Sequence, residues 1–209
     1  MHLLIVRHGE SNGQIDPNST DSDSLLSVIG QQQAVRTAQR LFESGITQII
    51  CSPLHRALST AQQISEKNGN LPVEVWPELA EINQSEYTGL QWTQILQQYP
   101  CAVFADGHPS KIGQYGGDTY QGIFTRCQQI LGRIQAQYQP DDRVVLVTHG
   151  GLGNYLLHVI LENEPDIPHW FELANCSISA FQFITDDLSL PLYPPVRTKI
   201  IKINDTSHL

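Results

Sequence analysis

The sequence has few cations, no paired cysteines and no long apolar run. Lysine and arginine number 12 against 21 aspartate and glutamate residues, which gives a formal net charge of −9 over 209 residues. An acidic chain of this kind is not expected to bind nucleic acid or an anionic membrane through long-range attraction. Because a local cluster of cations can oppose the global sign, a small anionic substrate remains compatible with the composition.

The apolar runs and the cysteine pattern predict a cytoplasmic protein. No apolar run approaches the length of a transmembrane helix, and no basic region followed by a long apolar stretch is found at the N-terminus. The four cysteines are widely spaced, without a CxxC pair. We expect them to be reduced, as is usual in the cytoplasm.

Strand-like and helix-like segments alternate along the chain. Short apolar runs rich in branched residues, such as LLIV and RVVLV, are typical of strands covered on both faces. We therefore predict a single domain over residues 1–209, an α/β fold of three layers (α/β/α) with a mostly parallel central sheet. From about 92 to 117 the pattern is irregular apart from one short helix near WTQILQQY, and we interpret this range as a lid-like insertion over the active site.

Two of the apolar strands end in a histidine that is followed by a glycine, at His8-Gly9 and at His149-Gly150. Ligands of open α/β sheets lie at the carboxyl ends of the strands. Glycine lets backbone N–H groups approach a ligand closely, and the helix that follows His149 adds its positive end. The two histidines are therefore expected to share one binding site.

Two arginines are predicted at the same edge of the sheet. Arg7 precedes His8, and Arg56 lies in the first turn of a helix for which Ser52 is a plausible N-cap and Pro53 an early residue. Guanidinium groups grip phosphate oxygens with two parallel hydrogen bonds. Two imidazoles and two guanidiniums together make a site for a doubly charged tetrahedral anion.

Phosphoryl transfer is the chemistry that this set of residues favours. A neutral histidine can attack phosphorus and form a covalent intermediate, and a protonated carboxylic acid can supply the proton for the leaving alkoxide. Glu81, in the segment LAEIN, is the first candidate for this acid, with Glu86 as the alternative and Asp106 as a more distant one. A carboxylate near His8 would raise its pKa and suppress activity at low pH.

Several motifs in order resemble those of the histidine phosphatase superfamily, in the branch that includes cofactor-dependent phosphoglycerate mutase and fructose-2,6-bisphosphatase. The motifs are LIVRHGES, LSVIGQQQA, CSPLHRALSTA, LAEINQSEYTG, VTHGG and NCSI, from about His2 to Ser179. One RHG tripeptide would be weak support, whereas several motifs in family order are specific. The resemblance implies the predicted fold and a phosphomonoester hydrolase that acts on a small phosphorylated metabolite.

The resemblance also implies roles for individual residues. His8 would be the phosphate-accepting nucleophile and Glu81 the proton donor. The phosphoryl oxygens would be held by a larger group, which comprises Arg7, Arg56, His149, the backbone N–H of Gly150, and Gln14 where many relatives have an asparagine. No metal and no other cofactor is expected.

Three alternatives remain at this stage. The mutases carry a cation-rich insertion after the acid, whereas Lys111 is the only cation between Gly89 and Gly117, so mutase-type phosphotransfer is the lesser hypothesis. A non-catalytic phosphate-binding module on the same fold is the second. The third is a metal hydrolase that uses both histidines with Asp16 or Asp106, but the adjoining arginines would repel a cation and no HExxH or HxH spacing occurs.

Overall fold

The computed structural model describes residues 1–16, 18–19, 21, 23–82, 92–104, 119–166, 169–184 and 196–209, without the side chains of Trp92 and Thr93. Its strands are β1 (His2–Arg7), β2 (Gln48–Cys51), β3 (Val73–Val75), β4 (Ala102–Phe104), β5 (Arg143–Thr148), β6 (Ile178–Phe183) and β7 (Thr198–Asp205). Its helices are α1 (Asn12–Ile15), α2 (Val28–Phe42), α3 (His55–Lys67), α4 (Trp92–Gln98), α5 (Tyr120–Gln137) and α6 (Gly150–Ile160), with a 3₁₀ turn at Pro77–Leu79.

The seven strands form one sheet in the order β4-β3-β2-β5-β1-β6-β7. The first five are parallel, β6 is antiparallel to β1, and β7 is antiparallel to β6. This confirms the predicted α/β class with a mostly parallel sheet. Strands β1 and β5 lie side by side, so their carboxyl ends meet at the centre of one sheet edge.

Helices cover both faces of the sheet and bury the central strands. On β1, Leu3 and Ile5 pack with the residues of α5 and α6, whereas Val6 packs with those of α2, α3 and α4. Successive side chains of a strand point to opposite faces, which is why a strand buried on both sides is apolar at nearly every position. Strand β5 follows this rule and is buried from Val144 to Thr148. The predicted three layers are confirmed.

The first half of the expected insertion, residues 92–104, is part of the regular fold, since it forms α4 and the edge strand β4. Strand β4 pairs in parallel with β3, and Ile95 of α4 and Tyr99, which follows the helix, are buried in the core cluster on its side of the sheet. The three-residue strand is too short to give a clear sequence period, which is why the range looked irregular. Residues 105–117 lie outside the described residues, so the lid-like insertion stays a prediction over that range.

Over the described ranges, every helix is too short or too polar to cross a bilayer.

Candidate active site

The two predicted histidines come together at the carboxyl edge of the sheet. Arg7 is the register partner of Thr148, so His8 and His149 follow at the same level of adjacent parallel strands. The His8 N–H donates to the Thr148 carbonyl over 2.9 Å, and the two imidazole rings lie 5.0 Å apart between centroids. This geometry confirms the expectation that the two histidines lie together at this edge of the sheet.

Hydrogen bonds select the tautomer of His8. Its Nδ1 lies 2.7 Å from the Gly9 carbonyl oxygen, which can only accept, so Nδ1 carries the proton. The lone pair is then on Nε2, toward which Arg56 Nε donates over 3.2 Å. The ring is 3% exposed. Nε2 is thus a buried, neutral nucleophile that faces a guanidinium.

The backbone around His8 is held from several directions. The Gly9 N–H donates to Thr60 Oγ1 over 3.1 Å, and Thr60 Oγ1 donates to the Arg56 carbonyl over 2.8 Å. The Asn175 amide and the Cys176 N–H both donate to the His8 carbonyl. This explains why the NCSI segment accompanies the histidine motif, since it fixes the backbone that carries the ring.

His149 is oriented by Ser52, which does not cap α3 as expected. The helix begins at His55, and the Ser52 hydroxyl lies 2.7 Å from His149 Nε2. Ser52 Oγ also accepts the Leu54 N–H at 3.3 Å, so the hydroxyl is held between this N–H and the imidazole. His149 Nδ1 is buried and has no partner among the described residues. A buried ring nitrogen without a partner is suited to contact a ligand.

The two arginines are anchored differently. Arg7 donates from one terminal nitrogen to the Leu173 carbonyl, while its buried Nε has no partner within the described ranges. Arg56 is 7% exposed and lies 3.9 Å from Asp23, whose carboxylate also accepts the His55 N–H over 2.7 Å. Each guanidinium is therefore held by a neighbouring group, the Leu173 carbonyl for Arg7 and the Asp23 carboxylate for Arg56, and presents N–H groups near the histidines.

Gly150 begins α6 directly behind Arg7. A Cβ atom at Gly150 would lie 3.3 Å from Cζ of Arg7, closer than most real contacts, so the guanidinium packs against this backbone. As the first residue of the helix, Gly150 has no intrahelical acceptor for its N–H. The geometry is compatible with the predicted contribution of this N–H to anion binding.

Glu81 lies at the amino end of α6. Its Oε2 accepts the Gly151 N–H over 3.1 Å, and its Oε1 accepts those of Leu152 and Ile82, each over 2.9 Å. A Cβ atom at Gly151 would come within 2.7 Å of Glu81 Oε1, so only glycine leaves room for this carboxylate. Oε2, with a single N–H partner, is the oxygen better suited to carry a proton. The competing candidates Glu86 and Asp106 lie outside the described residues.

Gln14 is exposed and is engaged by neighbouring polar groups. Its amide oxygen accepts the Ser11 N–H over 3.0 Å and the Asn175 amide over 3.1 Å. The same Asn175 amide also donates to the His8 carbonyl, so Asn175 links Gln14 to the backbone of His8. Its direct role in phosphate binding stays a prediction. Asp16, the metal-ligand candidate, is exposed and accepts the N–H of Asn18.

Three residues of the site were missed by sequence reasoning. Ser52 was interpreted as a cap, and Asp23 lies in a polar loop that carries no recognisable signal. Arg126 is a third guanidinium, 6% exposed, whose charge is among those that lower the pKa of His149. A signal for it existed, because Arg126 lies on the buried stripe of α5 beside Ile123 and Cys127. No group of three histidine, cysteine or acidic residues placed to hold a metal occurs within the described part of the chain.

Burial and positive charge keep both imidazoles neutral. Burial first, and then the charge of Arg56, hold the pKa of His8 well below its usual range, against the opposing effect of the Gly9 hydrogen bond. Burial followed by Arg56 likewise lowers the pKa of His149. The expectation that a carboxylate raises the pKa of His8 is therefore wrong. The nucleophile is predicted to stay active well below pH 6.5, the ordinary histidine value.

The lowered pKa values of these two histidines predict that the stability of the protein depends on pH. Both pKa values fall on folding, so below about 6.5 the unfolded chain binds protons that the folded protein excludes. The contribution of the two histidines to the free energy of unfolding is fully present above this pH. Below it, that free energy falls by about 1.4 kcal/mol per pH unit for each histidine. Urea unfolding at several pH values measures the slope. His8→Asn is expected to remove one histidine's share, and an unchanged slope would contradict the assignment.

Several known proteins are similar in sequence to this chain. A family model described as the histidine phosphatase superfamily, branch 1, matches residues 3–193. The chain is 30% identical over 189 residues to phosphoglycerate mutase-like protein 4 of Arabidopsis thaliana, over 88% of this chain and 80% of that protein. It is also 30% identical over 158 residues to the glucosyl-3-phosphoglycerate phosphatase of Mycobacterium tuberculosis, over 72% and 70% of the two chains.

The likeness extends to the fold. The crystal structure of phosphoserine phosphatase from Entamoeba histolytica in complex with 3-phosphoglyceric acid superposes with a TM-score of 0.68 at 26% identity. The match covers 99% of this chain and 98% of that chain. Sequence and tertiary structure therefore point to the same group of proteins.

Proposed function

Because the chain belongs to the histidine phosphatase superfamily, branch 1, we propose that it hydrolyses phosphomonoesters through a phosphohistidine on His8. One observation carries the proposal. His8 Nε2 bears a lone pair and lies buried at the point where Arg56 donates, while the buried Nε of Arg7 and Nδ1 of His149 have no partner among the described residues. These donors suit the charge that spreads over the equatorial oxygens during phosphoryl transfer.

In the first step, His8 Nε2 attacks phosphorus and the ester P–O bond breaks. The leaving alkoxide takes the proton of Glu81, and the His8 ring becomes positively charged. The Gly9 carbonyl, 2.7 Å from Nδ1, stabilises that charge by accepting the Nδ1 proton in a stronger hydrogen bond.

In the second step, water attacks the phosphohistidine and the P–N bond breaks. The Glu81 carboxylate takes a proton from the attacking water, and neutral His8 and inorganic phosphate are released. The location of Glu81 supports both roles, because the Gly151 N–H at the amino end of α6 holds its carboxyl, and Arg7 packs against the preceding residue, Gly150. The cycle returns every group to its starting protonation state.

The proposed substrate is a small phosphorylated metabolite. Relatives carry the names glucosyl-3-phosphoglycerate phosphatase and phosphoserine phosphatase, which act on such compounds. Mutase-type transfer is less favoured, because the stretch from Gly89 to Gly117 offers Lys111 alone to hold a second anionic group. We also propose a single domain over residues 1–209 and a cytoplasmic location, which is supported by four free cysteines.

The proposal requires no metal, and a chelator assay tests it. We expect the wild-type protein to hydrolyse 4-nitrophenyl phosphate at an unchanged rate after treatment with a strong chelator, and to be inhibited by vanadate, which mimics the five-coordinate phosphorus. Turnover lost to the chelator and restored by a divalent ion would overturn the mechanism in favour of a metal hydrolase. Phosphate binding without turnover of any ester would indicate a binding module.

A further inference from the structure

A pocket lined by aromatic side chains is formed by the start of α5, by Tyr155 of α6 and by the chain that follows α6. Its volume is about 570 Å³, within the range of small-molecule sites, and its walls form what we call the aromatic pocket. The lining residues are Tyr120, Gln121, Tyr155, Pro165, Asp166 and Trp170. Neither the phosphate site nor the proposed reaction uses any of them.

The aromatic pocket is tied to the phosphate site by short stretches of chain. Tyr155 lies one helical turn after Gly151, the residue whose N–H binds Glu81, and helical side chains lean toward the helix N-terminus. Trp170 precedes by three residues Leu173, whose carbonyl fixes Arg7. Tyr120 begins α5, which runs opposite to β5 and so starts at the same edge of the sheet. All three aromatic residues therefore belong to parts of the chain that reach the carboxyl edge of the sheet within a few residues.

The exposure of the walls indicates that the pocket is built to receive a ligand. Tyr120 and Trp170 are 76% and 59% exposed, although large aromatic side chains gain most from burial. Trp170 is held edge-on to the buried Tyr155, with 6.3 Å between the ring centroids. A planar or sugar-like ring entering the pocket would cover both exposed faces.

The charges of the pocket restrict which ring it accepts. Among the described residues that line the pocket there is no lysine or arginine, and Asp166 contributes a carboxylate. A carboxylated or doubly phosphorylated leaving group would be repelled, whereas the Gln121 amide and the tyrosine hydroxyls can bind hydroxyl or ring-nitrogen groups. An uncharged leaving group is favoured.

We propose that the aromatic pocket binds the leaving group and selects phosphomonoesters whose alcohol carries an uncharged ring. This inference rests on the proposed function, since it assigns the substrate class of the same site. The shared chemistry is a ring with an apolar face, whether aromatic or saturated. Ring stacking of this kind strengthens binding by about 3- to 10-fold for each aromatic contact.

The test compares esters of alcohols with similar acidity. We expect kcat/KM for 2-phenylethyl phosphate to exceed that for n-butyl phosphate and that for 3-phosphoglycerate, with cyclohexylmethyl phosphate distinguishing saturated from aromatic rings. Trp170→Ala and Tyr120→Ala should each lower kcat/KM for the ring ester about 3- to 10-fold and lower that for n-butyl phosphate by a clearly smaller factor. Phe42→Ala, which removes an exposed aromatic ring from α2, is the matched control.

Equal losses for both esters, or no preference for the ring in the wild type, would overturn the pocket assignment while leaving the phosphatase intact. If the wild type hydrolyses no ester, binding of 2-phenylethylphosphonate is measured by calorimetry. Binding that Trp170→Ala weakens would then support the pocket and refute the hydrolase. Absence of binding would refute both.

Discussion

His8→Ala is expected to reduce kcat by about four orders of magnitude or more, to the limit of detection. The reason is that His8 Nε2 forms the covalent bond to phosphorus, and no other described side chain offers an unprotonated imidazole nitrogen at this position. His149 does not substitute, because its Nε2 is engaged by the Ser52 hydroxyl. Steady-state hydrolysis of 4-nitrophenyl phosphate measures the effect.

A covalent intermediate gives a second and independent readout. Wild-type protein quenched with alkali during turnover should carry one additional phosphoryl group by mass spectrometry, and peptide mapping should place it on His8. His2→Ala is the matched control, because His2 lies at the opposite end of the same strand β1. Retention of the phosphoryl group in His8→Ala would show that another residue is the nucleophile.

Glu81→Gln is expected to lower kcat by about 10²- to 10³-fold for alkyl phosphates and less than about 10-fold for 4-nitrophenyl phosphate. An alkoxide needs a proton as it leaves, whereas nitrophenolate is stable without one near neutral pH. Glutamine keeps an oxygen for the N–H groups of Leu152 and Ile82, but its amide nitrogen cannot accept from Gly151. The measurement is the ratio of the two rates in variant and wild type.

This ratio separates catalysis from structural support. If Glu81 serves only to hold the amino end of α6, the variant would lose activity equally toward both esters and would melt at a lower temperature. Glu86→Gln is the matched variant, since Glu86 is the alternative donor. A dependence on the leaving group that appears in Glu86→Gln and is absent in Glu81→Gln would transfer the role to Glu86.

The local pattern of the sequence was sufficient for the strands and for the residues at their ends. Apolar runs covered on both faces have few alternatives to a parallel sheet, and the motifs around His8 and His149 follow those runs directly. The sequence identified Arg56 because a helix that follows a strand begins at the edge of the sheet where that strand ends. These inferences needed only residues that are close along the chain.

Other features depend on which distant segments pack together. The interpretation of Ser52 as a helix cap was wrong because its partner, His149, lies 97 positions away. Asp23 reaches Arg56 from a loop without a pattern, and the short β4 acquires its strand conformation by pairing with β3. Periodicity and capping rules describe neighbours along the chain and are insensitive to such pairs.

By itself, the sequence determined the α/β architecture and the placement of the two histidines at strand ends, and it led to the proposal of a phosphate site there. Tertiary structure alone decided the protonation and orientation of those groups. It buries His8 beside Arg56, lowering its pKa, and it holds Glu81 on the N–H groups of α6. The physical reason is that the identity of a group is local, whereas its solvation and its hydrogen-bond partners depend on the elements that pack around it.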